Sequence, residues 1–168
     1  MTKEQLNIPP IQMEKNFFEH AQIIPNKNFV QSTESIFFET SIWSSVYSNP
    51  QDKTRFLLKM LIKLPNPPHP NVPMISSFMA VGAFIVKEDY GPGENEKAFL
   101  VKTTGGGMLY GAAREFILQM TSRCNWDYRP LYLPTFSMQA IAMAPLIESI
   151  VNHTDPNTEA TETITHPA

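Results

Sequence analysis

The spacing of apolar residues changes once along this chain, and that change narrows the folds it can adopt. Up to residue 88, apolar residues alternate with other residues in several segments, as they do in β-strands. After the turn-forming stretch DYGPGENE, apolar residues recur every three or four positions, which is typical of amphipathic helices. Strands followed by helices indicate an α+β fold, in which helices pack on one side of an antiparallel sheet.

The predicted strands are bounded by turns and prolines. They cover residues 34–47, 55–64 and 74–88, with a further strand segment in residues 17–30. Short connections predict an antiparallel meander of three strands, or of four if the segment 17–30 takes part. The proline-rich stretch 65–73 must lie outside the sheet, because proline cannot donate to a strand ladder. The strand 55–64 is expected to bury one face, made of Phe56, Leu58, Met60, Ile62 and Leu64.

Three helical segments are predicted after the strands. They cover residues 96–104, 108–123 and 137–151, the last with Ser137 as its N-cap and a kink at Pro145. The middle helix is expected to bury one apolar stripe, made of Leu109, Ala112, Phe116, Ile117 and Met120.

Three consecutive glycines, residues 105–107, precede the middle helix and raise the question of a phosphate-binding loop. Such a loop needs a lysine and then a serine or threonine after its last glycine, whereas Gly111 is followed by Ala112 and Ala113. A dinucleotide site needs a buried parallel strand leading into the glycines, and the sequence predicts none. The glycines are therefore interpreted as a helix end and a break before the next helix.

Length and composition indicate one domain. The chain has 168 residues, and we expect a flexible arm at 1–14, a folded domain at 15–151 and a disordered acidic tail at 152–168. A net charge of −3 gives no electrostatic reason to expect nucleic acid as a partner. The single cysteine allows no internal disulfide and fits a cytoplasmic protein. No segment approaches the roughly 20 apolar residues that span a membrane.

Residues suited to catalysis do not cluster in the sequence. The four histidines are scattered without metal-ligand spacing, and Cys124 follows a helix rather than preceding one. No two carboxylates are placed for acid–base chemistry. The sequence therefore predicts a protein that is not an enzyme and needs no metal or cofactor.

Large aromatic side chains and methionines are more abundant than one small core needs. The chain has 11 phenylalanines, five tyrosines, two tryptophans and nine methionines. One interpretation places them all in the core or in a subunit interface. The other is that some line an exposed groove for unfolded, apolar polypeptide segments, since flexible methionines suit promiscuous binding surfaces.

The segment AAREFILQMTSRCNW and the following LYLPTF resemble the signature region of the SecB family of protein-export chaperones. The match is carried by three groups of residues, which are Ala113, Arg114 and Glu115, then Met120, Ser122 and Arg123, then Leu131, Leu133, Pro134 and Phe136. The order of strands and helices from about residue 35 to residue 150 also resembles that family. The motif itself is specific only over residues 109–136.

This resemblance implies a four-stranded antiparallel sheet with helices on one side, assembled into a homotetramer. It also implies an ATP-independent holdase that keeps preproteins unfolded for export in a hydrophobic groove and hands them to the translocase motor SecA. Six residues on the aromatic strand face or in extended connections are the candidates for client contact, namely Phe29, Phe37, Trp43, Phe84, Trp126 and Tyr128. Four helix residues are assigned to packing or assembly, namely Arg114, Glu115, Phe116 and Met120.

The chain departs from the family at three places. LYGAAR replaces a Phe-Pro-Tyr-Ala-Arg-like lead-in, and the proline-rich loop is longer than the family's hairpin. Members that dock SecA present an acidic patch on the exposed sheet face, whereas the strand ISSFMAVGAFIV contains no carboxylate. A divergent oligomeric adaptor, or a chaperone dedicated to one client such as a toxin–antitoxin pair, therefore stands beside the export chaperone as an alternative.

Overall fold

A computed structural model describes residues 9–31, 39–65, 68–91, 93–123, 133–145 and 147. It contains a four-stranded antiparallel sheet followed by helices. The strands are β1 (Ile11–Pro25), β2 (Ser41–Asn49), β3 (Asp52–Leu64) and β4 (Met74–Val86). The helices are α1 (Glu94–Leu100), α2 (Gly106–Ser122) and α3 (Met138–Ala142), with a π-helical turn at Val101–Gly105 between α1 and α2. The α+β class predicted from the sequence is confirmed.

The order of strands across the sheet is β1-β4-β3-β2. Strands β2, β3 and β4 form the predicted meander, but β1 pairs with β4 rather than with its sequence neighbour β2. The four strands therefore form a Greek key, and the prediction of a four-stranded meander is wrong. The long connection between β1 and β2 allows β1 to reach the far edge of the sheet.

The strands begin at residues other than the predicted ones, and their pairing with neighbouring strands explains the differences. β2 begins at Ser41, opposite Lys63, because β3 ends at Leu64 and Pro65 cannot extend the ladder. The predicted segment 34–38 lies within 32–38, outside the described residues. At the other end, β1 begins at Ile11, which is buried and pairs with Val86, so residues 11–14, which were expected to belong to a flexible arm, lie in the sheet.

The helices cover one face of the sheet, which we call the inner face. The five residues of β3 that were expected to be buried are all on this face and at most 3% exposed. Together with Phe78, Ala80 and Val86 of β4 and with residues of the helices they form a single core. Burial of this apolar surface is the main term that holds the helices on the sheet.

The three glycines do not break the helix. The backbone is helical from α1 through the π-helical turn into α2, and the amide of Gly106 donates to the carbonyl oxygens of Val101 and Thr103. A Cβ atom on Gly105 would lie 3.1 Å from the ring of Phe84, and one on Gly106 would lie 2.7 Å from Cγ2 of Ile141. Gly105 and Gly106 are needed because the helix lies very close to β4 and to α3.

Two details of the helices also differ from the prediction. The buried stripe of α2 contains Leu109, Ala113, Ile117 and Thr121, so it is rotated by one residue from the predicted Ala112 and Met120. The hydroxyl of Ser137 caps α3 as predicted, accepting from the amide of Ala140 at 3.1 Å. That helix ends at Ala142 rather than kinking at Pro145, since proline disfavours a helical conformation at the residue before it.

Candidate functional site

The face of the sheet opposite the helices, the outer face, carries an apolar strip. Directly opposite residues of antiparallel strands point to the same side, and the register places apolar side chains in two rows, with the row of Ser45, Lys59 and Val81 between them. One row is Trp43, Leu61 and Met79, and the other is Tyr47, Leu57 and Ala83. With Phe17 of β1, we call the residues Phe17, Trp43, Tyr47, Leu57, Leu61 and Met79 the outer strip.

The outer strip is partly accessible to solvent. Phe17 and Tyr47 are each 40% exposed, and Trp43, Leu57 and Met79 are half-buried. The ammonium group of Lys63 lies 5.6 Å from the centroid of the Trp43 ring, and that of Lys15 lies 5.7 Å from the Phe17 ring. These cations are placed to attract carboxylates as well as to stack on the rings.

Two ion pairs cross the central strand β4 on the outer face. Lys59 of β3 donates to both carboxylate oxygens of Glu19 of β1, at 2.8 and 3.0 Å. Arg55 of β3 donates to Glu14 of β1 at 2.7 Å. Val81 of β4 lies between Lys59 and Phe17 in the register and is 0% exposed, although it faces outward. The aliphatic parts of the paired side chains thus shield the centre of the sheet.

A cleft of about 390 Å³ opens at the end of the outer strip, beside the β2–β3 turn. Tyr47, Leu57 and Ala83 supply apolar walls, and the Arg55–Glu14 pair supplies a charged wall. Asp52 closes the turn below it, accepting from the amide and hydroxyl of Thr54 at 2.9 and 2.6 Å and from Arg55 at 3.1 Å. The hydrogen bond from the Thr54 hydroxyl is the main reason that the pKa of Asp52 is lowered.

The outer face is not acidic over the part that the structure describes. Lys15, Arg55, Lys59 and Lys63 project from it, against Glu14 and Glu19. β4 carries no carboxylate, as the sequence indicated, and its neighbouring strands β1 and β3 carry cations. A partner that docks on an acidic patch would find cations here instead.

The structure places the candidates for client contact in different parts of the molecule. Trp43 lies on the outer strip. Phe84 faces the helices, is 1% exposed and packs its ring against Gly82 and Gly105, and it also borders the cleft beside the β2–β3 turn. Phe37, Trp126 and Tyr128 lie outside the described residues.

Phe29 is half-buried in a loop that Asn26 joins to the proline-rich connection. The Asn26 amide group donates to the carbonyl oxygens of His69 and Val72 at 2.9 and 2.8 Å. Its backbone amide donates to Pro73 at 2.8 Å. This buried asparagine fixes the loop from Asn26 to Val30 against residues 69–73, at the end of the sheet and away from the outer strip's centre.

The four residues assigned to packing or assembly differ from one another in burial and in contacts. Phe116 stacks on Phe18 with ring centroids 4.0 Å apart, so it packs α2 against β1. Arg114 and Glu115 are exposed and border a shallow pocket with Leu118 and Leu133. Glu115 accepts a hydrogen bond from Gln119 one turn later at 2.8 Å. Met120 is 43% exposed.

Other exposed apolar side chains lie on the helical side. Phe99 is 65% exposed and Met143 is 77% exposed, with Met108 and Met120 less so. Within the described ranges no group of three or more potential metal ligands occurs, and none of the helices is long and apolar enough to cross a membrane.

Comparison with known proteins relates this architecture to a chaperone. No family model and no curated protein matches the sequence. Among solved structures, the chain is similar to the SecB-like chaperone Rv1957 of Mycobacterium tuberculosis in complex with a ChAD peptide from the Rv1956 HigA1 antitoxin. The TM-score is 0.58 at 17% sequence identity, and the match covers 76% of this chain and 91% of that one. This chain has the SecB-like fold. The resemblance read from residues 109–136 is thereby confirmed at the level of the fold.

Sequence reasoning found part of the outer strip. The alternation that places five residues of β3 on the buried face leaves Leu57 and Leu61 on the opposite face with Arg55 and Lys59, and the register agrees. Sequence reasoning missed Phe17 because it gave no partner strand for β1, and it missed Met79 because it did not assign the two faces of β4. Charge pairs of β1 with β3, such as Glu19 with Lys59, lie about 40 residues apart in sequence, and nothing local indicates them.

Proposed function

We propose that this protein is a chaperone that binds non-native polypeptide segments on the outer strip, without ATP. The observation that carries the proposal is a partly exposed row of aromatic and aliphatic side chains on the sheet face that the described helices leave uncovered. Support also comes from the fold, since a SecB-like chaperone of the same fold has been solved with a peptide of an antitoxin. The role is that of a holdase that prevents aggregation.

The outer strip suits extended apolar segments. A client that buries about 300 Å² of apolar surface gains roughly 7 kcal/mol before the costs of association are subtracted. Single segments therefore bind weakly and reversibly, as a holdase requires. The cleft beside Tyr47 is deep enough for one side chain of the client, and the Arg55–Glu14 pair beside it offers hydrogen bonds to the client's backbone.

The proposal includes assembly into a homotetramer in the cytoplasm. Phe99, Met108, Met120 and Met143 give the helical side an apolar surface that a second copy can cover. Export of preproteins is one of the roles that the proposal allows. SecA is not proposed as a partner, because the outer face carries Lys15, Arg55, Lys59 and Lys63. A client-dedicated role is favoured by the antitoxin peptide that the similar chaperone binds.

The test is suppression of aggregation. A denatured client protein is diluted into buffer with and without this protein, and light scattering is followed. We expect lower scattering with the protein present. Trp43→Ala combined with Tyr47→Ala should reduce the suppression several-fold, whereas Val30→Ala, at an apolar side chain that is 60% exposed and lies outside both the outer strip and the helical side, should not. Equal scattering with and without the protein contradicts the chaperone function. Loss of suppression in Val30→Ala, with suppression retained in the Trp43 and Tyr47 variant, contradicts the outer strip as its site.

A further inference from the structure

The chain passes around the free edge of the sheet after α3. Ile141 is buried on the inner side, next to Gly106. The amide of Ser44 donates to the carbonyl oxygen of Pro145 at 3.0 Å. Because β2 is the last strand in the order, an amide that bonds outside the sheet faces its open edge. Pro145 therefore lies beside that edge.

The last described residue lies on the other side of the sheet. Ser45 is opposite Lys59 and so faces outward, and its hydroxyl accepts a hydrogen bond from the amide of Ile147 at 3.2 Å. Ser45 is only 5% exposed although it stands on the edge strand. The chain has thus crossed from the inner side at Ile141 to the outer side at Ile147.

We propose that the segment 148–162 of this same chain folds back over the outer strip and occupies it in the absence of clients. Ile150 and Val151 are the first apolar residues beyond Ile147. At about 3.3 Å per extended residue they reach about 10 to 13 Å from it. Neighbouring strands lie about 4.8 Å apart, so this distance is sufficient to reach the row of Trp43, Leu61 and Met79.

Charge complementarity supports this occupant over a neutral one. Residues 148–162 contain Glu148, Asp155, Glu159 and Glu162 and no lysine or arginine. The outer face presents Lys15 over Phe17 and Lys63 over Trp43, next to the paired Arg55 and Lys59. Acidic residues of the segment therefore meet cations beside the rings that Ile150 and Val151 would contact. The attraction is screened by salt because these groups are at the surface.

The consequence is competition between the segment and clients. A tethered segment acts at an effective concentration in the millimolar range, so weak docking is enough to occupy the strip for much of the time. The competition, though not the docking, rests on the proposed function. A client must displace the segment, and its apparent affinity equals its intrinsic affinity multiplied by the fraction of molecules whose strip is free.

Paramagnetic broadening in the full-length chain tests the docking. Cys124→Ser removes the one natural cysteine, and Thr158→Cys carries a nitroxide label. Methyl signals of Met79 on the outer face and Met108 on the helical side form a matched pair. We expect broadening at Met79 to exceed that at Met108 several-fold, and to fall with added salt and with Ile150→Ser plus Val151→Ser. Equal broadening, or more at Met108, overturns the docking.

A mixed sample separates docking within one chain from docking between copies. Nitroxide-labelled chains without isotope are mixed with isotope-labelled chains without nitroxide. We expect no strong broadening at Met79 in this sample. Broadening as large as in the sample whose chains carry both the nitroxide and the isotope assigns the occupant to a second copy and overturns the proposal.

Binding of a permanently unfolded, fluorescent polypeptide tests the competition. Full-length Ile150→Ser plus Val151→Ser should bind it about 3- to 10-fold more tightly than the unchanged chain, as expected when a weakly docked competitor is removed. Unchanged affinity overturns the competition. If neither protein binds the polypeptide while Met79 is still broadened, the chaperone function fails and the docking of the segment stands.

Discussion

Gly106 of α2 lies so close to Ile141 of α3 that a Cβ atom on the glycine would stand 2.7 Å from Cγ2 of the isoleucine. Both residues are buried, and Ile141 belongs to the single core of the molecule. The contact fixes the last helix against the second and so sets where the chain turns toward the sheet edge at Pro145. Its geometry is the basis of the first prediction.

Gly106→Ala should destabilise the protein by about 1 to 3 kcal/mol, because the β-branched Ile141 cannot move aside without disturbing the core. Gly111→Ala is the matched control. Gly111 lies in the same helix, and a Cβ there would meet nothing within 4 Å, so the change should stabilise the helix by about 0.5 to 1 kcal/mol. Thermal unfolding measures both. A melting temperature that rises for both variants would show that the contact with Ile141 is not tight.

Asn26→Ala should cost about 1 to 3 kcal/mol, since it removes the buried donor to the carbonyl oxygen of Val72. It also removes one of the two donors to the carbonyl oxygen of His69, which keeps the amide of Val72. Asn28→Ala removes an exposed side chain of the same type from the same loop and should change stability by less than about 0.5 kcal/mol. Urea denaturation measures the difference. Similar midpoints for the two variants would mean that Asn26 does not hold the proline-rich connection.

Tyr110→Phe should cost about 1 to 2 kcal/mol, because the Tyr110 hydroxyl donates to the carbonyl oxygen of Pro134 at 2.7 Å. Burial raises the pKa of Tyr110 above its ordinary value, while nearby Arg114 acts against this. A raised pKa means that the contribution is complete below the unfolded value, about 10, and is lost as the pH rises above it.

Unfolding of both proteins between pH 8 and pH 11 is the measurement for Tyr110. The unchanged protein should lose more stability over this range than Tyr110→Phe. Tyr47→Phe, at a tyrosine that is 40% exposed, serves as the control and should behave like the unchanged protein. Parallel curves for all three would contradict the role of the buried hydroxyl.

Thr54→Val should raise the pKa of Asp52, because the hydroxyl of Thr54 is the strongest of the groups that lower it. The lowered pKa in the folded state gives stability that is present above the unfolded value, about 3.9, and is lost as the pH falls through the folded pKa. Carbon-detected NMR titration of the Asp52 carboxyl is the measurement. Thr103→Val, whose hydroxyl donates to the carbonyl oxygens of Phe99 and Leu100, should leave the Asp52 titration unchanged.

Alternation within a strand was enough to predict the buried face of β3, because it depends on the order of neighbouring residues. The same holds for the cap at Ser137, which involves an amide three residues away. The pattern placed Leu57 and Leu61 on the opposite face for the same reason. It did not distinguish Trp43, which lies on the outer strip, from Phe84, which lies in the core, since both follow a strand pattern.

Local order along the chain determined which segments form strands or helices and which face of β3 is apolar. Only the tertiary structure decided that β1 pairs with β4, that the glycines continue a helix against Phe84 and Ile141, and that an apolar strip remains open on the outer face. The physical reason is that periodicity is a property of residues close in sequence. Strand pairing and close packing depend on groups that are distant in sequence and meet only when the chain folds.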